Sequence, residues 1–375
     1  MALINQDWDN VAGEAKDWER QYARCEPVLE ALARQYRRLE RRTDARRVLR
    51  ACCDRSMDYW PWMTLAYLYR EDGDVPRWQG MLETYLTQVE EENLEHAHIR
   101  DELARYFMSV GEFSTALPYA EAAAESQASW AMEGAALANE GLQRWSAAEQ
   151  WYRRSAERYA EDAPDWLFFC VRTGQGVRST AQELATRWAR QQPDDAPVIR
   201  LGRAALVHLL GGDTAEARRL WELDFKRTGD PLYGHLLATV PDVTGKSGRS
   251  EEWYAQIIAR AANTQSQGAT PRPELVELAQ IFQRGREAGA LCTADLQAVA
   301  TLVDKAGPKS RAGLLYFTAR FLEQQGTADE AVTWLKRAAH DPMQINWTVC
   351  LARELCRKRG IALDPVPPLV QPISR

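Results

Sequence analysis

The chain has 375 residues, 45% of them apolar, and a formal net charge of −6. That is too long for one ordinary core, and the charge excludes a protein that holds nucleic acid through a global basic field. No apolar run reaches the roughly 18 residues of a membrane helix, and the polar, acidic start lacks the apolar stretch of a signal peptide.

Residues 1–26 predict an N-terminal helical segment, and Leu29–Tyr36 with Asp44–Cys53 predict a first helix pair. Further on, apolar residues recur with helical period. Trp62, Leu65, Ala66 and Tyr69 form one stripe, and Leu103, Ala104 and Phe107 another. Phe113, Ala116, Leu117, Ala120 and Ala123 follow, then Trp145, Ala148, Trp151, Tyr152 and Ser155, and finally Ala331, Trp334, Leu335 and Ala338 before Pro342. Sustained alternation of the β type is absent, so strands are not expected.

Glycines punctuate these stretches. Gly73, Gly111, Gly141, Gly174, Gly212, Gly248, Gly289 and Gly326 lie 30 to 41 residues apart, the length of two helices of about 12–15 residues with their turns. Glycine tolerates the left-handed backbone that ends a helix. Asp74, Glu112, Asp213 and Thr327 come next and suit a helix cap, and Pro76 suits a first turn. The pattern gives about nine helix pairs, with pairs at 27–227 and 251–360 and a capping helix near 343–359. Residues 228–250, rich in Gly, Pro and Ser, read as a loop or hinge; 263–273 reads as a polar loop, and 361–375, with four prolines, as an extended tail.

Trp62, Leu65, Ala66, Tyr69 and Gly73 resemble the first helix of a tetratricopeptide repeat. Gly111, Phe113, Ala116, Ala120 and Ala123 resemble the second helix, as do Gly326, Ala331, Leu335, Ala338 and Pro342. The resemblance covers roughly 27–345 and weakens at 163–191 and 273–306. It implies an all-α solenoid, a superhelix of stacked helix–turn–helix units with a concave groove, which holds a protein or peptide as a scaffold or adaptor. Groove positions by that resemblance are Trp60, Tyr67, Arg70, His98, Asp101, Arg105, Trp130 and Glu133. The asparagines with which some such domains clamp a C-terminal carboxylate are missing, so that clamp is not expected. Most of the 14 tryptophans, Trp62, Trp78, Trp145, Trp151, Trp221, Trp253 and Trp334 among them, fall at inter-helix packing positions.

Chemistry-bearing motifs are scarce. Gly245–Lys246–Ser247 has Val240 where a phosphate loop needs glycine. His96 and His98, two apart on a helix, point to different sides, and His208, His235 and His340 stand alone, so no metal site is expected. No nucleophile motif is present, and the expectation is a non-enzyme without cofactor. Seven cysteines, an odd number without a Cys-x-x-Cys pair, point to reduced thiols in a cytoplasmic protein. Residues 34–55 hold nine arginines against three acids. Arg34, Arg37, Arg38, Arg41 and Arg42 are spaced to form one basic stripe. That gives the second reading, nucleic-acid or acidic-ligand binding; a third is a regulatory subunit of a separately encoded enzyme.

Overall fold

A computed structural model describes residues 8–22, 24–89, 93–159, 163–190, 201–240, 250–265, 272–342 and 346–364. Among the described residues every regular element is a helix, and consecutive helices pack as antiparallel pairs. Two compact units divide between Arg144 and Trp145. The first holds α1 (Trp8–Gln21), α2 (Glu26–Arg38), α3 (Arg42–Cys53), α4 (Tyr59–Glu71), α5 (Val75–Gln88), α6 (Leu94–Ser109), α7 (Phe113–Ala124) and α8 (Ser129–Gly141). The second holds α9 (Trp145–Arg158), α10 (Ala163–Thr173), α11 (Val177–Arg190), α12 (Leu201–Gly211), α13 (Thr214–Thr228), α14 (Pro231–Thr239) and α15 (Ser250–Gln265). It continues with α16 (Pro273–Glu287), α17 (Thr293–Lys305), α18 (Pro308–Gln324), α19 (Ala328–Ala339) and α20 (Trp347–Lys358).

The turns follow local chemistry. Gly73, Gly111, Gly174, Gly212, Gly289 and Gly326 all have positive φ, as the end of a helix requires. Asp74 and Asp213 accept backbone N–H groups of the helices they precede, from Arg77 and Glu216. Glu112 and Thr327 make no such side-chain cap; the Thr327 hydroxyl instead donates back to the Leu322 carbonyl. Gly141 differs from its fellows. It lies inside α8, and Gln143 takes the left-handed turn with φ 57°. Gly141 serves close approach instead, because a Cβ there would sit 2.1 Å from the Phe113 ring. Gly248 lies outside the described residues.

The hinge expected at 228–250 is corrected over its first half. Asp230 caps α14 by accepting from Leu232 N, Pro231 occupies the first turn, and His235, Leu236, Leu237 and Ala238 are buried. A Pro and a Gly in nine residues look like a loop by composition, but Pro costs nothing at a helix start. Gly234 lets Ile257 close in, 2.6 Å from where a Cβ would stand. Residues 241–249 lie outside the described set, as do 266–271 of the second expected loop and 365–375 of the Pro-rich segment.

The core of the first unit combines residues of the stripes read in the sequence with residues of α5. Trp78, Leu65, Ala66, Leu82, Tyr85, Ala116 and Ala120 are all buried to 1% exposure or less. The second unit departs from an open groove. Its last helix, α20, packs on α18 and α19 and also returns to α10. There Arg357 donates to the Val171 carbonyl at 2.6 Å. Arg320 and Gln324 of α18 likewise donate to the carbonyls of Thr239 and Ala238 at the end of α14. The inner face of this unit is therefore filled by its own helices.

Candidate partner-binding face

In the first unit, α4, α6 and α8 are the first helices of successive pairs and present their early turns side by side. Trp60 opens α4 and is 70% exposed. Its ring meets Tyr59 edge-on at 5.2 Å; Tyr59 meets His98 at 5.9 Å, and His98 meets Trp130 at 5.8 Å. The Tyr59 hydroxyl and His98 Nδ1 are 2.6 Å apart. Burial, with Glu102 and Glu95 adding to it, pushes the Tyr59 phenol up to about 12, so at neutral pH it holds its proton. Trp130 is half-buried because one side packs on Ala97, Ala123 and Ala131. Tyr59 was not singled out in the sequence, although its place beside Trp60 on the first turn of α4 was the available signal.

Beneath this aromatic row lies a set of ion pairs. Arg70 meets Glu102 at 3.0 Å. Tyr67 is half-buried, and burial together with Glu102 raises its phenol. Arg105 meets Asp101 at 2.6 Å, donates to the Trp130 carbonyl at 3.1 Å, and lies 3.7 Å from Glu133. Burial pushes Asp101 up to about 6, against the pull of Arg105. Its Oδ1 lacks a hydrogen-bond partner and abuts Gly134, where a Cβ would come within 2.7 Å. Tyr67 and Arg70 thus meet through Glu102, while Trp60, His98, Trp130, Asp101, Arg105 and Glu133 are joined through Tyr59 and Arg105. Asp101, 6% exposed, faces inward. It fixes Arg105, which in turn fixes the backbone under Trp130. A cavity of about 240 Å³ adjoins the aromatic row, bounded by Arg34 of α2, Leu49 of α3, and Trp60 and Thr64 of α4.

The single arginine stripe is corrected. Helix α2 ends at Arg38, Glu40 takes a left-handed turn with φ 57°, and Arg41 and Arg42 belong to the start of α3. A non-glycine left-handed turn carries little sequence signal. Acids neutralise much of the set: Arg42 and Arg46 share Asp72 at 2.9 and 2.6 Å, Arg37 lies 3.4 Å from Glu71, and Arg41 lies 2.7 Å from Asp44. Arg47 is held by Glu19 and Asp44. Arg34 and Arg38 have no ion pair among the described residues.

Elsewhere, Trp62, Trp78, Trp221, Trp253 and Trp334 are buried as packing positions should be, and Trp151 is half-buried. Trp145 departs from the expectation at 41% exposure, because it is the first residue of α9, where a helix start has no preceding turn to cover it. His96 turns inward to Asn93 and the Val89 carbonyl, away from His98. No cluster of three or more His, Cys, Asp or Glu residues suited to a metal occurs among the described residues, and none of their helices is long and apolar enough to cross a membrane. The Gly245–Ser247 loop lies outside the described residues; the residues at 236–239 before it are helical, not the strand a phosphate loop needs.

No family model and no curated protein matches the chain. Solved structures do. A tetratricopeptide repeat protein from Parabacteroides merdae is 16% identical with a TM-score of 0.36, over 68% of this chain and 98% of that one. The structure of Naa15/Naa10 bound to HypK-THB matches at 16% identity and TM-score 0.41, over 95% of this chain and 54% of that one. Yeast Tom70 matches at 13% identity and TM-score 0.25, over 92% and 98%. The structural neighbours of this chain thus include tetratricopeptide repeat proteins, all at low sequence identity.

Proposed function

We propose that the protein is a non-catalytic scaffold or regulatory adaptor that captures a protein or peptide on the α4–α6–α8 face of its first unit. One observation carries this reading. Trp60 is 70% exposed at the mouth of a cavity and at the head of a connected aromatic row. Folding gives no return on an indole left in water, whereas indoles are favoured anchors of binding surfaces. Exposed Arg34 on the same cavity and Glu133 at the far end supply polar contacts at the edges. Among the described residues no disulfide joins the seven cysteines, and five of them are buried, which supports a reducing, cytoplasmic setting.

The test compares capture from native lysate by the wild-type chain and by Trp60→Ala and Trp130→Ala. A specific partner should be retained by the wild type and lost by both variants, with urea midpoints of Trp60→Ala and wild type alike. Unchanged capture, or unfolding of Trp60→Ala, removes the reading.

A further inference from the structure

A cavity of about 290 Å³ lies within the second unit. Five helices turn their first turns toward it, through Arg203 of α12, Tyr233 of α14, Leu275 of α16, Ser310 of α18 and Thr348 of α20. The return of α20 brings these ends together. Each helix start carries backbone N–H groups without intrahelical acceptors and the positive end of the helix dipole. Asp230 caps α14 and Asn346 caps α20, but α16 and α18 begin without a side-chain cap.

Charge and hydrogen bonding agree with the dipoles. Two guanidinium groups, Arg203 and Arg272, line the cavity, and among the described residues no carboxylate does. Arg272 has one acid near it, Asp230 at 3.6 Å. Trp221 of α13 also lines the cavity; it is fully buried and its Nε1 has no acceptor. Leucines, Leu206, Leu236 and Leu351 among them, form much of the remaining wall, with Trp347 and Asn346.

We propose that this cavity binds a small organic anion. Arg203 and Arg272 hold its carboxylate or phosphate headgroup, since guanidinium suits either anion. Its apolar body lies against the leucines and Trp221. The volume is at the small end for ligand pockets, about 300 Å³, which suits a single ring and not a nucleotide.

Calorimetry and tryptophan fluorescence on the full chain test this with phenyl phosphate and benzoate as probes, inorganic phosphate for the headgroup alone, and benzyl alcohol as the uncharged analogue. At least one ring anion should saturate below about 10 mM and raise the unfolding temperature. Arg203→Gln and Arg272→Gln should each weaken it by about tenfold. Gly313→Leu supplies an independent variant. A Cβ at Gly313 meets only Phe317 at 3.6 Å and Leu275 at 4.0 Å, and Gly313 lines the cavity, so a larger side chain there takes up cavity space. It should fold and abolish binding. The proposal is overturned by any of three results: no saturation by either ring anion, equal binding of benzyl alcohol, or anion binding that survives all three substitutions.

Discussion

Lowering the pH from 7 to 5 should destabilise the second unit through His235. This imidazole is completely buried; it stacks on Phe317 at 4.8 Å and meets Tyr254 and Phe282 edge-on or tilted. Nε2 lies 2.8 Å from the Leu275 carbonyl and so carries the proton, while Nδ1 has no partner. Burial lowers its pKa to about 4, the Leu275 carbonyl opposing only in part. The unfolded chain takes up this proton near pH 6.5, the folded chain only near 4, so stability is lost as pH falls between those values. Linkage puts the loss at about 2 kcal/mol at pH 5 and about 3 kcal/mol at pH 4. His235→Phe keeps the ring stack and forfeits the carbonyl bond, costing about 1 kcal/mol at pH 7, but it does not share the loss on acidification. Urea titrations of wild type and variant at pH 7 and pH 5 provide the assay. If His235→Phe loses as much stability as wild type over this interval, the buried-imidazole argument is wrong.

Asp101 should act with the opposite sign in the first unit. Its folded pKa is raised to about 6, so the folded chain gains the proton first, and Asp101→Asn should remove a stabilisation that grows as pH falls from 6 toward 4. Trp78→Ala should cost about 3–5 kcal/mol, because Trp78 is fully buried; a loss under about 1 kcal/mol would place it outside the core. Gly141→Ala should cost about 1–3 kcal/mol through collision with the Phe113 ring, despite the better helix former, and Phe113→Leu should relieve it in a double mutant. Filter binding at low salt should show no retention of single-stranded DNA or RNA by wild type, given the acid partners of Arg37, Arg41, Arg42 and Arg46; retention that falls steeply with salt would restore the nucleic-acid reading.

The helix pairs were legible because each depends on local signals, a stripe at period 3.6 and a glycine after it. The placing of Trp60, His98 and Trp130 on neighbouring helices was legible for the same reason, since all three sit early in α4, α6 and α8. Three features were not. The segment 231–239 reads as a loop by composition, and only the Asp230–Pro231 start hints at a helix. The break between Arg38 and Arg41 rests on a glutamate in a glycine-like conformation. The return of α20 to α10 joins Arg357 to Val171 across 186 positions, a contact that no pattern within one helix can encode.

That return has a consequence for how the second unit comes into being. An ordinary array of stacked pairs can fold from any point outward and can gain or lose a pair by duplication. Here α10 finds its last neighbour only when α20 has been synthesised, so the unit completes late and as a whole. An added pair would separate the two helices that meet, which fixes the number of pairs in this half of the protein.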